Sequence, residues 1–305
     1  MIELVNASRW YGQVIGLNDV TCTIGPGMTA LLGMNGAGKS TMLRMITGQI
    51  RATTGQVLVN GMEPFANKEI YKSLGYCPEI DNFYEQMTGR QFVNYLARLG
   101  GFGPSEAKAR THSMLERVGM AQTADRWIAG YSKGMRQRIK LAQAMVHDPQ
   151  IILLDEPLNG LDPLGRREFI EVLGDLADRG CTIIVSSHIL YEVERMTRNL
   201  LLLHRGRLLA VGDLRMIRGL IDNHPHQIRL ETSEPRRAAE LLAALPNVVS
   251  LRFTPAGDAV EFECTEPDKL YDALPQLVLD KGLRISGFSS PDNNLEAVFS
   301  YLVKK

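Results

Sequence analysis

The segment Gly33-Met34-Asn35-Gly36-Ala37-Gly38-Lys39-Ser40 constrains this chain more than any other stretch, because it fits G-x-x-x-x-G-K-[ST] and has the flanks that motif needs. Residues 29–32 form a short apolar run of strand length, and residues 40–47 have helical character. The glycines let backbone N–H groups converge on a phosphate chain where a Cβ would obstruct them. The helix that follows points its positive end at the same anion. Lys39 supplies a charge for the β- and γ-phosphates, and the Ser40 hydroxyl can ligate Mg²⁺. A plain glycine turn beside a surface lysine would need neither flank, so nucleotide binding is the stronger reading.

A second element supports it. Ile151-Ile152-Leu153-Leu154 is a buried-strand pattern ending in Asp155-Glu156-Pro157. Two carboxylates at the carboxyl end of such a strand sit where open α/β sheets bind ligands. Alone they would be a helix cap or a solvated turn. With a phosphate loop upstream, Asp155 is expected to hold Mg²⁺ and Glu156 to act as general base on the attacking water. A third element, Tyr131-Ser132-Lys133-Gly134-Met135-Arg136-Gln137-Arg138, opens another helix with a hydroxyl and a glycine amide at its N-terminus. By itself it is ordinary capping.

Strand and helix patterns alternate through the first two thirds of the chain. Strands are expected at 20–24, 29–32, 56–59, 74–77, 151–154 and 182–186, helices at 135–146, 166–177 and 190–196, and a closing hairpin over 200–211. Residues 88–119 read as mainly helical, with Phe92, Tyr95, Leu96 and Leu99 as one buried stripe. This order implies a largely parallel sheet with helices on both faces. The polar run Asp222-Asn223-His224-Pro225-His226 reads as a linker, which places a first domain at 1–221 and a second at 222–305. In the second, strands at 227–231, 248–253, 259–264 and 283–288 and helices at 236–244 and 269–279 give a β-α-β-β-α-β order, with a final helix at 295–302. That is the ferredoxin-like α+β arrangement.

Composition sets the class. The 305 residues carry 34 Lys+Arg and 34 Asp+Glu, a formal net charge of zero, which argues against a basic nucleic-acid coat. Hydrophobic residues make up 45%, enough for a sizeable core. Cys22, Cys77, Cys181 and Cys264 are widely spaced, without a CxxC pair, as expected for reduced thiols in a cytoplasm. No apolar run reaches the roughly 18 residues needed to span a bilayer. Glu3 and Arg9 argue against a signal peptide at the start.

These residues, in this order, resemble the nucleotide-binding subunit of the ATP-binding cassette (ABC) transporters over residues 2–211. The resemblance implies a P-loop ABC cassette with an antiparallel N-terminal β part and a helical subdomain, binding ATP and Mg²⁺ as a dimer. It implies triphosphate contacts from Gly33, Asn35, Gly36, Ala37, Gly38, Lys39, Ser40 and Thr41, and adenine stacking on Tyr11. Ser132, Lys133 and Gly134 would face the nucleotide of a second subunit, and Asp162, after Leu161, would couple the two sites. His188 matches the switch histidine that contacts the γ-phosphate.

Two positions depart from the family pattern: Lys133 stands where the signature has its first glycine, and Glu79 where many members have a lid glutamine that ligates Mg²⁺. Both changes resemble the drug-resistance, antibiotic and polysaccharide-type exporter ATPases, as does the ending Pro291-Asp292-Asn293-Asn294-Leu295-Glu296-Ala297-Val298-Phe299. The resemblance implies a separate integral-membrane permease, docked around Phe83, Tyr84, Glu85 and the helix from Arg90, and a place on the cytoplasmic face of the membrane.

The alternative is a soluble ABC-type ATPase serving as a regulatory or nucleic-acid-associated factor. The span between Ser40 and Ser132 sustains no coiled coil, as a chromosome ATPase of related fold would. No second phosphate loop and no Asn-Lys-x-Asp tetrapeptide occurs. Arg229, Arg236, Arg237 and Arg252 are interleaved with Glu231, Glu234 and Glu240, the pattern of a solvated mixed surface, so no nucleic acid is expected.

Overall fold

The chain opens with two long strands, β1 (Ile2–Tyr11) and β2 (Val14–Ile24), joined by a tight turn in which Gly12 takes φ +62°. The computed structural model describes residues 1–213 and 225–290. They fall into two compact units, the first ending at Asp213. In the first, β1 pairs antiparallel with β2 on one side and with β4 (Thr54–Val59) on the other.

The second sheet is the frame of the site. Its order is β5-β6-β7-β3-β8-β9, made of β5 (Leu74–Cys77), β6 (Ile151–Leu154), β7 (Thr182–Ser187), β3 (Gly27–Leu32), β8 (Asn199–His204) and β9 (Arg207–Asp213). All neighbours run parallel except β8 and β9, the closing hairpin. Side chains alternate across a strand, so the apolar run of β6 splits between two cores. Ile151 and Leu153 pack with Leu31, Leu43 and Ile184 against the antiparallel sheet and helix α1 (Lys39–Ile46). Ile152 and Leu154 pack with Ile183, Val185, Phe92, Ile139 and Leu173 on the other side. Each such side chain, buried fully, contributes about 1.5–3 kcal/mol.

After the short helix α2 (Lys68–Tyr71), α3 (Gly89–Leu99) and α4 (Pro104–Arg117) form the helical insert. Thr88 and Gln91 make a reciprocal capping box at the start of α3. The buried stripe of α3 differs from the expected one: Phe92, Val93 and Ala97 are buried, whereas Tyr95 and Leu99 are exposed. The helix is turned because Tyr95 packs edge-on to Tyr84 at the surface, with ring centroids 6.1 Å apart. Helix α5 (Lys133–Met145) then leads into β6, α6 (Pro163–Asp178) into β7, and α7 (Leu190–Met196) into β8. No helix among the described residues is long and apolar enough to cross a membrane.

In the second unit β10 (His226–Glu231), α8 (Pro235–Ala243), β11 (Val248–Phe253), β12 (Ala259–Cys264), α9 (Pro267–Leu279) and β13 (Gly287–Ser289) follow the expected β-α-β-β-α-β order. The sheet runs β11-β12-β10-β13, every pair antiparallel. The last strand is shorter and later than the sequence suggests. Leu283 instead plugs the core, 1% exposed, its N–H donating to the Leu277 carbonyl to close α9 after Gly282 at φ +64°. The domain boundary expected at 221, the linker residues Asp222, Asn223 and His224, the ending from Pro291 to Phe299 and the helix 295–302 lie outside the described residues.

Candidate functional site

Parallel pairing brings three loops to one edge. Leu32 of β3 is level with Ser187 of β7, and Leu154 of β6 with Val185. The phosphate loop, the Asp155-Glu156 pair and His188 therefore leave neighbouring strands side by side, at the carboxyl edge where such sheets bind ligands.

The loop's back is closed and its front is open. A Cβ on Gly33 would lie 2.6 Å from the Leu203 carbonyl oxygen, and one on Gly38 would lie 2.5 Å from that of Gly16. Gly38 also takes φ 108°, which only glycine adopts cheaply. Gly36, at φ +80°, has open space before it, and Asn35 beside it is exposed. Ala37 packs into the core, while Ser40 and Thr41 open α1 half-buried. This is a backbone cradle that a phosphate chain fits.

Glu156 is the centre of the charge network. It is 6% exposed and sits at φ +50°, a left-handed conformation that a glutamate adopts at a cost of the order of 1–2 kcal/mol. Its Oε1 lies 3.1 Å from Lys39 Nζ and its Oε2 2.9 Å from His188 Nδ1. Lys39 Nζ also donates to the Gly33 carbonyl at 2.6 Å. Ser186 of β7 holds both acids: its hydroxyl donates to Asp155 Oδ1 at 2.7 Å and accepts from the Glu156 N–H at 2.8 Å.

Asp155 is 2% exposed, and its charge, after burial, helps push the neighbouring Tyr76 hydroxyl up to about 12. Among the described residues no cluster of three His, Cys, Asp or Glu side chains could hold a metal ion unaided. One buried carboxylate beside a phosphate loop and a serine hydroxyl suits Mg²⁺, which takes few protein ligands and keeps phosphate oxygens and water. Asp155 and Ser40 would hold it, and it would neutralise phosphate charge.

Tyr11, half-exposed at the end of β1, reaches across Gly16 towards Thr41. A Cβ on Gly16 would lie 2.8 Å from the Tyr11 ring and 3.2 Å from the Thr41 side chain. The Arg9 guanidinium lies 5.0 Å from the ring centroid.

Ser132, Lys133 and Gly134 pack elsewhere. Ser132 caps α5 by accepting from the Met135 N–H at 3.3 Å, and the stem of Lys133 fills the place a Cβ would take on Gly160. Gly134 faces Leu161, and Asp162 caps α6 by accepting from the Gly165 N–H at 2.9 Å. The signature and the 158–162 loop thus form one surface. Glu79 is exposed on the segment after β5.

Several contacts that sequence reasoning missed support these. Arg166 Nε donates to the Leu161 carbonyl at 3.1 Å, and its NH1 pairs at 3.0 Å with Glu192, which accepts from Ser187 next to His188. Arg136 of α5 grips Glu85 through both nitrogens, at 2.7 and 3.0 Å, which holds the Glu85 carboxyl below its ordinary range. Lys140, 1% exposed, binds the same segment. The signal for these was weak: charged residues inside otherwise apolar helical patterns.

The family described as ABC transporter matches residues 17–159. The ABC transporter ATP-binding protein NatA of Bacillus subtilis is 36% identical over 221 residues, 70% of this chain and 90% of that protein. The bacitracin transport ATP-binding protein BcrA of Enterococcus faecalis is 30% identical over 312 residues, 99% of this chain and 96% of that protein. A solved structure of an ATP-binding subunit of an ABC transporter superposes with a TM-score of 0.66 at 32% identity, covering 72% of this chain and 93% of that one. This chain therefore belongs to the ABC transporter family, as an ATP-binding subunit and an ATPase.

Proposed function

We propose that the chain is the motor of an exporter: two copies close on two ATP–Mg²⁺ and drive a separate membrane-spanning permease from its cytoplasmic face. The observation that carries this reading is Glu156, buried and held between Lys39 and His188. A carboxylate so placed, aimed by a positive-φ backbone at the mouth of a phosphate cradle, is suited to take a proton from water attacking the γ-phosphate. His188, 38% exposed, would turn to the γ-phosphate, and Tyr11 would stack on the adenine. Asp155, Ser40 and Glu79 would hold the metal. Ser132, Lys133 and Gly134, on one surface with Asp162, would meet the other copy's nucleotide.

Similarity to a protein named for Nod factor export, over most of both chains, supports the export direction. The exposed Tyr84 and Tyr95 beside Phe83 and Phe92 would dock the permease. We read the second unit as a ferredoxin-like accessory domain, 222–305, that stabilises the dimer or contacts the permease. Three of its arginines face acids: Arg229 and Arg252 pair with Glu261, and Arg237 with Glu234. This disfavours nucleic acid as a partner.

Glu156→Gln tests the assignment. It should lower steady-state hydrolysis at least a hundredfold, about 2.7 kcal/mol of barrier, while ATP binding persists and a dimer accumulates on size-exclusion chromatography. Near-normal turnover would overturn it.

A further inference from the structure

Lys140 has no part in the reading above, yet it is the bulkiest fully buried cation among the described residues, 1% exposed in a run of core positions on α5. A buried ammonium is costly unless its protons are used. All three are: Nζ donates to the Pro78 carbonyl at 2.9 Å and the Glu79 carbonyl at 3.0 Å, and lies 2.9 Å from Asp81 Oδ1. One helical turn earlier, Arg136 holds Glu85 and approaches Asp81 at 3.9 Å. The segment from Pro78 to Glu85 has no helix or strand of its own. Two cations of α5 at i, i+4 spacing therefore set its path. At its root, β5 is anchored to the acidic pair, since the Asp155 N–H donates to the Cys77 carbonyl at 2.8 Å.

Filling space does not require a charge here. Ile139, Leu141 and Ala142 around Lys140 are all core residues, and an apolar side chain of equal length would occupy the same volume without a desolvation cost. What the ammonium adds is geometry, because it fixes the carbonyl of Glu79, whose carboxylate is exposed on the segment that leaves β5. We propose that Lys140 is the positioning residue for Glu79: it pins the backbone so that the Glu79 carboxylate is presented to the metal of the bound nucleotide. This rests on the reading of Glu79 as a metal ligand.

The test is equilibrium ATP binding by titration calorimetry, in Mg²⁺ and in excess EDTA. In Lys140→Met, affinity in EDTA stays within twofold of the parent, because the phosphate loop is untouched, while the gain in affinity from Mg²⁺ shrinks at least tenfold. Glu79→Ala loses the same gain, and adding Lys140→Met to it causes no further loss. A general loss of stability would weaken binding in both buffers alike.

If Glu79→Ala keeps the full Mg²⁺ gain, the reading of Glu79 falls and the inference with it. If Glu79→Ala loses the gain but Lys140→Met keeps it, the inference alone is overturned. Should Lys140→Met not fold, Asp81→Asn decides: it removes one arm from a partly exposed position, and an unchanged Mg²⁺ gain in that variant overturns the proposal.

Discussion

Glu156→Gln should do more than stop hydrolysis: it should destabilise the nucleotide-free fold and tighten its grip on nucleotide. The substitution keeps shape and the φ +50° backbone, so it isolates charge. Lys39 and Glu156 are both 6% exposed and 3.1 Å apart. Removing one member of a buried pair costs about 3–5 kcal/mol when the other is stranded. Lys39 is not stranded: the Gly33 carbonyl still accepts from it at 2.6 Å, and a neutral amide oxygen replaces the carboxylate at roughly half the strength.

About 2 kcal/mol is therefore expected, a fall in Tm of about 4–8 °C for a unit of this size. Nucleotide phosphates supply Lys39 with the charge it lost. The parent must break the Lys39–Glu156 pair to bind them and the variant need not, so the same 2 kcal/mol returns as up to about 30-fold tighter binding. Thermal scanning in EDTA, with and without a non-hydrolysable ATP analogue, measures both terms. A variant with the parent's Tm and the parent's affinity would refute the reasoning.

Gly38→Ala should abolish nucleotide binding, since φ 108° strains any Cβ by about 1–2 kcal/mol and this one would strike the Gly16 carbonyl; calorimetry with ATP checks it. Thr88→Ala removes the hydroxyl arm of the α3 capping box, leaving the backbone N–H of residue 88 on the Gln91 side chain, and should cost about 1 kcal/mol, read from the urea midpoint of the first unit. Ile152→Ala, fully buried between β5 and β7, should cost about 2–5 kcal/mol in the same assay. Burial pushes the thiols of Cys77 and Cys22 up to about 12 and about 11, so both stay protonated near pH 8. Half-buried Cys181 should be alkylated first by iodoacetamide in the native protein, and mass spectrometry showing Cys77 labelled as fast would contradict this.

The parts of the site that were legible in the sequence are those whose chemistry dictates a local pattern. The β6 strand and its two acids, the glycines of the phosphate loop and the serine that caps α5 all act through their own few residues. The strands β5 and β6 were readable to the residue because a short apolar run bounded by polar residues has one solution in a sheet buried on both faces. The α3 stripe was misplaced because Tyr95 and Leu99 satisfy the helical period yet lie at the surface, Tyr95 against the Tyr84 ring in a contact that only the fold assembles. The last strand of the second unit was misplaced because Leu283, apolar and strand-like, serves as a plug behind α9. Lys140 was illegible for the opposite reason. Its helix is buried around most of its circumference, so a lysine there must have partners, but those partners come from a loop with no pattern of its own.

The buried charges of the first unit share a further property. Lys39 of α1 meets the loop after β6, Lys140 of α5 meets the loop after β5, and Glu192 of α7 meets Arg166 of α6. Each joins two elements that border the nucleotide edge, and each stands where an apolar pair would give equal or greater stability. A net charge of zero over the chain conceals this, because these acids and bases cancel in the sum yet stand opposite one another across the boundaries between elements at the nucleotide edge. An apolar contact can only be lost when such a boundary opens. An ion pair can be handed over: on the proposed reading, phosphate takes Lys39 from Glu156 as the nucleotide arrives, which frees that carboxylate to act as base, and release of the product gives Lys39 back.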